Sequence, residues 1–451
     1  MRPFRRVLFG WLAASCAWTA ARSAEPAAPE VERGREALTL HGYLKASWSD
    51  EAYKRVGRFW GPGAPDPEAD PEGYLAAFCD RYGLSKAPFP NDGLPMGLRR
   101  GVGDDGRKRG VQIDCLTCHG GSIGGTNIVG LGNSRLDLTL LFQEMTRADG
   151  KRFPITPYVI NSAQGTVNAG MFSAVLLSLR NSDLSMRSFP LPLGANLPEM
   201  DTPAWWNLAP KTTMYYDGRT PAESVRASLQ FFLGEKSADE LKALEPTMRD
   251  IIAYARSLTP PKYPFPIDRA KADRGHRVFE ASCAKCHGTY DEEGVVDYPN
   301  EVVPLKVIGT DPARAVGMSD KMIAHYNATW FAEKHPANPV MTGYQAPPLR
   351  GAWATAPYLH NGSVPTLYHL LKSSERPARF LRPPSTDLAH YDPERVGWTF
   401  KPVDAPASLT PDERRRFFDA SRFGLNNGGH TFGDKLSEDD RRDVVEYLKT
   451  L

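Results

Sequence analysis

The chain has 451 residues, 41% of them hydrophobic and 24% charged, enough for two or three globular units with a core each. Formal charge is only +2, from 55 basic and 53 acidic residues, a balance that asks for no nucleic-acid partner. Glycine and proline, at 39 each, promise long loops.

In chain order, residues 1–24 read as a secretory signal. "MRPFRR" is the positive start, "VLFGWLAASCAWTA" an apolar run of 14 residues, and "ARSAEPAAPE" a small-residue break. The run is short for a membrane span, so no transmembrane segment is expected. Cleavage is expected between Ala21 and Glu25, although Arg22 interrupts the small-x-small pattern. Cys16 in "LAASC" offers a lipoprotein signal as the lesser alternative. Removing the signal takes away four arginines and no acid, leaving 51 basic against 53 acidic residues in a periplasmic protein.

Helical patterns fall near 32–58, 72–83, 135–147, 221–233, 238–257 and 410–420, the last opening on a capping box at Thr410, Pro411 and Glu413. Alternating strand patterns are scarce, so the expected fold is mainly α with long loops. "MRDIIAYARSL" at 248–258 and "RRDVVEYLKTL" at 441–451 share R-D-x-x-x-Y-x-x-x-L. Arg249, Asp250, Tyr254 and Leu258 thus match Arg442, Asp443, Tyr447 and Leu451. Val444, Leu448 and Leu451 make one apolar helical face, and Ser437 with Asp440 approximates a capping box. The proline-rich "SLTPPKYPFPID" between the halves reads as a linker, with the boundary near Lys262. The units are then 25–262 and 263–451.

Chemistry enters with "QIDCLTCHGGSIGG" and "EASCAKCHG". Cys115 and Cys118 precede His119, and Cys283 and Cys286 precede His287. In a C-x-x-C-H motif two thiols tether the porphyrin and the histidine reaches the iron from one face. A four-cysteine zinc site would not require the two histidines, and a redox dithiol would need a βαβ setting that the pattern lacks. Two covalently bound haem c groups are therefore expected. Cys79 is left over as a small buried hydrophobe. The glycines of "GGSIGG" serve either close backbone approach to the porphyrin or a flexible turn.

An iron with two strong axial ligands carries electrons, whereas one with an open face binds small oxidants. No histidine lies between His119 and His276, and only His41 precedes the first motif. That leaves Met145, Met171, Met186, Met200 or Met214, or an open apolar face. The second half holds His325, His335, His360, His369, His390 and His430. His430, after Gly428 and Gly429 and just ahead of the final helix, is the expected second ligand opposite His287; a surface loop is the plain alternative. Trp205 and Trp206 line the first pocket or relay electrons between haems, unless they are ordinary core aromatics. Glu144 and Glu199 are the glutamates between His119 and Pro221, and so the candidate distal acids.

An anchor early and an amphipathic helix last resembles the organisation of a cytochrome c domain, in both halves. "DRGHRVFEASCAKCHG" is similar to the helix that ordinarily runs into such an anchor, whereas the first motif follows a loop and lacks that lead-in. "PPLRGAWATAPYLHNGSVPTLYHLL" at 347–371 resembles the signature of the bacterial di-haem cytochrome c peroxidase superfamily. There a methionine or tyrosine some way after the P-Y-x-H-x-G histidine ligates the second iron; here Ser374 stands in that region, a departure. The rubber-oxygenase-like branch is the closer likeness. It shares L-H-N-G-S-V-P-T-L and stretches such as "PLKVIGTDPAR" and "DTPAWWNLAPKTTMYYDG", over most of the mature chain. That resemblance implies an oxygen-binding N-terminal haem, a second haem ligated by a histidine nearer the C-terminus (matched by Gly429-His430), and a supporting hydrogen-bonding role for His360, with a plain structural role as its alternative. The expected function is an oxidoreductase activating peroxide or dioxygen at the first haem. The second haem would act as electron relay, with a small redox protein as donor or acceptor. The alternative is a pure electron-transfer cytochrome.

Overall fold

The computed structural model describes residues 27–103, 105–152, 163–193 and 198–451. The signal sequence and Cys16 lie outside the described residues. No described helix is long and apolar enough to cross a membrane.

The expectation of a mainly α fold is overturned. The chain is mixed, about 40% helix and 15% strand, and the described strands form eight small antiparallel sheets. Each strand is only two to six residues long. Alternation needs four or more residues to register, so backbone pairing and turn chemistry build these hairpins instead. "GGSIGG" shows how. Gly120–Ile123 pairs with Thr126–Val129 through a two-residue turn at Gly124 and Gly125, whose φ angles are 58° and 77°. A side chain at Gly120 would stand 2.5 Å from the Leu116 carbonyl. Elsewhere the helix expected at 410–420 ends at Arg416 and continues as the strand Phe417–Asp419.

Two helix crossings frame the molecule. An opening helix, Pro29–Leu40, packs on a closing helix, Ala238–Ser257, and a second pair, Arg269–Ser282 and Glu438–Leu448, repeats the arrangement. Three of the four start on a side-chain cap: Ser237 accepts from Glu240 N, Asp268 from Lys271 N, and Ser437 from Asp440 N. At each crossing a glycine meets backbone. A β-carbon on Gly34 would lie 1.9 Å from the Asp250 carbonyl oxygen, and one on Gly275 would lie 1.9 Å from that of Asp443. The preceding arginine then clasps the same aspartate with two hydrogen bonds. Arg33 donates to Asp250 at 2.7 and 3.0 Å, and Arg274 to Asp443 at 2.7 and 3.0 Å. The aspartate of the R-D-x-x-x-Y repeat is therefore the acceptor for an Arg-Gly pair on the opposite helix. Met248 and Ile251 in one closing helix, Val444 and Leu448 in the other, bury the apolar face.

The first anchor thus does have an opening helix. It is separated from its anchor by residues 41–114, which carry two α-helices and two antiparallel strand pairs of their own. Apolar clusters gather around each crossing, and Trp206, fully buried, belongs to the cluster of the second.

Adding one methyl group at either glycine forces backbones apart. Gly34→Ala and Gly275→Ala should each cost about 1–3 kcal/mol, read as a lowered midpoint in denaturant unfolding. Gly234→Ala is the control, since its nearest neighbour is the Leu176 side chain at 3.4 Å; equal losses at all three positions would discard the crossing argument.

Candidate functional site

At the second anchor the opening helix runs directly into the motif. Cys283 N bonds the Phe279 carbonyl at 2.7 Å, and one further turn, Ala284–His287, brings His287 N to the Cys283 carbonyl at 3.0 Å. His287 Nδ1 lies 2.8 Å from the Pro347 carbonyl. A carbonyl accepts only, so Nδ1 carries the proton and Nε2 is left free for a metal. The His430 ring stands across, its centre 6.2 Å from that of His287 and its plane at 59°. Two imidazoles bound to one metal at about 2.0 Å place their ring centres about 6 Å apart. The pair is spaced for a single metal atom between them.

His430 is held there at some cost. Its φ is 47°, in the left-handed region that a non-glycine residue rarely adopts. Three restraints impose it. His430 N donates to the Ile308 carbonyl at 2.6 Å. The Arg376 guanidinium gathers the carbonyls of Asn427, Gly429 and His430 at 2.7, 2.6 and 3.1 Å. Asn361, fully buried, donates to the carbonyls of Gly424 and Asn426 at 3.1 and 2.9 Å. Burial, with the nearby His287 and Arg376, drives the His430 pKa down to about 3, and burial lowers that of His287. Both rings are neutral, the form that binds iron.

The first anchor is built differently. Arg99 donates to the Leu38 and Thr39 carbonyls at the end of the opening helix, at 3.1 and 2.6 Å, and to Asp114 at 2.9 Å. Asp114 in turn accepts from Leu116 N at 2.8 Å. One buried guanidinium thus replaces the continuous helix. His119 N meets the Cys115 carbonyl at 3.0 Å, as at the second anchor. The His119 ring stacks on Trp205, centres 4.7 Å apart at 26°, and the Pro203 carbonyl faces it. Burial lowers its pKa to about 4. None of its described ring contacts is with an imidazole.

The same burial pushes the thiols of Cys115 and Cys118 up to about 12 and that of Cys283 to about 11. Cys115 nevertheless keeps open surface, and all five described cysteines are unpaired. Nor do the four motif cysteines assemble one zinc site: among the described residues no group of three or more metal-binding side chains converges. The residues present fit a porphyrin tethered by thioethers.

The remaining candidates are placed unevenly. Trp205 is at the first site, and the Trp206 indole donates to the Arg350 carbonyl at 2.8 Å, in the stretch that follows Pro347. Glu144 is committed to Arg81 at 2.5 Å and to the Tyr82 hydroxyl at 2.7 Å; Glu199 accepts from the Thr166 hydroxyl at 2.5 Å. Met186 is 62% exposed, which removes it as a ligand; Met145, Met171 and Met200 are core residues. Sequence reasoning missed Asp201, whose carboxyl burial holds well above the usual carboxylate range. An acid inside "DTPAWW", the stretch that carries Pro203 and Trp205, was its signal. His360 is buried between tyrosines, 4.3 Å from the Tyr344 ring centre, and its carbonyl accepts from Asp201 N at 3.0 Å.

A family model described as RoxA-like, cytochrome c-like matches residues 343–381, a segment that includes Pro347, His360, Asn361 and Arg376. The uncharacterized protein y4iM of Sinorhizobium fredii (strain NBRC 101917 / NGR234) is 29% identical over 299 residues, 55% of this chain and 64% of that protein. Protein y4iJ of the same strain, likewise uncharacterized, is 29% identical over 261 residues, 43% of this chain and 41% of its own length. The match thus spans under two thirds of each relative. The solved Kuenenia stuttgartiensis hydrazine synthase aligns over 64% of this chain and 90% of its own, at 14% identity and a TM-score of 0.23, too low to relate the folds. The matched segment identifies a cytochrome c-like region, with the haem c binding and haem-dependent redox function that such a region implies.

Proposed function

We propose that the protein is an exported c-type cytochrome with two haems and an oxidoreductase activity centred on the first. The observation that carries this reading is an asymmetry. His287 faces a second imidazole at single-metal spacing, whereas His119 faces a tryptophan. His287 and His430 would together hold one iron from both sides and so shut out exogenous ligands, whereas none of the described ring contacts of His119 is with an imidazole.

The bound haem supplies the iron that takes peroxide or dioxygen and the store of electrons that reduces it. The chain supplies ligation, orientation and a path. His119 and His287 stay neutral because they are buried, and Pro347 fixes the His287 tautomer. Trp205 against His119, and Trp206 bonded within the Pro347–Arg350 stretch, form a run of contacts from one proximal histidine to the other. That run supports an electron relay between the sites, fed or drained by a small redox protein. Both candidate glutamates are engaged in hydrogen bonds of the fold, which supports dioxygen over peroxide as the oxidant. Asp201 is the acid to test should peroxide turn over.

Three measurements check the reading. Intact mass of the exported protein should show two haem additions; one addition would remove the second site. His430→Ala should convert the second haem from low spin to high spin in electron paramagnetic resonance, and an unchanged signal would show that another group ligates. Carbon monoxide on the reduced protein, or cyanide on the oxidised, should perturb about half of the Soret absorbance. If neither haem binds either ligand, a pure electron carrier is the correct reading.

A further inference from the structure

Around Arg314 the fold gathers buried donors that lack acceptors among the described residues. Arg219 and Arg314 are each 6% exposed. Asp217 accepts from Arg314 Nη1 at 2.9 Å, which leaves Arg314 Nε and both Arg219 Nε and Nη1 without a hydrogen-bond partner among the described residues. The Thr310 hydroxyl (5% exposed) and His360 Nε2 (6% exposed) are unpartnered too. Arg219 and His360 each lie within reach of the Arg314 charge, and Lys211 within reach of Asp217. The nearby Asp311 spends both carboxylate oxygens on the amides of Ala313 and Asn426. Asp320 also lies within reach of Arg219, so Asp217, Asp311 and Asp320 match the cations Lys211, Arg219 and Arg314 in number, yet Arg219 Nε and Nη1 and Arg314 Nε keep no acceptor among the described residues. Buried donors without acceptors are rare in folded proteins, and a cluster of them asks for an anion.

Its position says which anion. On one side the hairpin that carries Asp217 and Arg219 is bonded to the strand Gly343–Gln345 through Gln345 N and the Tyr216 carbonyl, at 2.8 Å. That strand leads to Pro347, the support of His287. On the other side Arg314 ends a stretch that begins at Ile308, whose carbonyl holds His430. The cluster is therefore joined through the chain to the supports of both facing imidazoles. We propose that Arg219, Arg314 and His360 bind the propionate carboxylates of the second haem, with Thr310 and Lys211 completing the site. This rests on the two-haem reading above.

The test is spectroelectrochemical titration of the two-haem protein, resolving the low-spin second haem from the first. A positive charge beside a carboxylate disfavours the more positive ferric state. Arg219→Gln should therefore favour the ferric form of the second haem about tenfold, lowering its potential by about 59 mV. Arg219→Lys should restore most of the shift, and the first haem should move far less. A second-haem potential unchanged in Arg219→Gln, or both haems shifting equally, overturns the assignment. If Arg219→Gln does not accumulate, Lys211→Gln is read by the same criteria. Inorganic phosphate or acetate added to the unaltered protein should leave the second-haem spectrum and potential unmoved. A saturable response would mean that the site takes a free anion instead. A protein with one haem by pyridine haemochrome fails the two-haem reading itself; two haems with no shift fails only this inference.

Discussion

Each half of the molecule is closed by backbone touching backbone. Helices separated by ordinary side chains stay about 8–10 Å apart. At Gly34 and Gly275 there is no side chain to keep that distance, and the carbonyl of the opposing helix occupies the place where one would be. The arginine before each glycine then meets the carboxylate of the residue whose carbonyl is in contact. Contact and clasp set the crossing point together. At the second anchor the cysteine turn is continuous with the opening helix, so the crossing also sets where the anchor stands. At the first, Arg99 carries the same information through Leu38, Thr39 and Asp114.

The two sites are joined through one short stretch. Asn361 restrains the loop that presents His430, while the adjoining His360 carbonyl takes the amide of Asp201, in the stretch that places Pro203 and Trp205 against His119. A shift at one site therefore has a direct mechanical route to the other. That is a reason for the 357–362 stretch to be built from a buried asparagine and a buried histidine, which apolar residues of similar size would not replace. An apolar side chain at 361 would leave the Gly424 and Asn426 carbonyls without their donor.

The legible parts of the chain were those in which chemistry sits in adjacent residues. The spacing of Cys115, Cys118 and His119, and of their counterparts at 283–287, points to haem, and Gly429-His430 points to a loop that the structure brings to 6.2 Å between the ring centres of His430 and His287. Helices of regular length were also readable: 238–257 and 72–83 fall within a residue of their observed bounds. Strand content was not, because a two-residue strand has no pattern to read and depends on a partner brought by the rest of the fold. The first opening helix was visible as a helix, but the long insertion hid its role. The Arg-Gly pairs at 33–34 and 274–275 were the signal that would have matched it to its counterpart. Arg219 and Arg314 were illegible for another reason. A charged residue is ordinarily at the surface, and only the packed structure reveals which ones the fold has closed over.

The state of the motif thiols has a consequence for how the protein comes into being. Surrounding protein and the nearby Asp114 raise the thiols of Cys115 and Cys118, so that in the folded chain both hold their protons firmly. A sulfur that must add to a vinyl group is best approached while the chain is still open. On the proposed reading, porphyrin attachment would belong before helix closure, and the tethered ring would become the template on which the chain around it collapses, its binding energy counted as folding energy. Because the first closing helix precedes the second anchor in the chain, a two-haem polypeptide could finish one half before the other receives its iron. Maturation of such a protein would then run in chain order, and a halt between the two steps would leave a one-haem species with a sealed N-terminal half and a tail still waiting to fold.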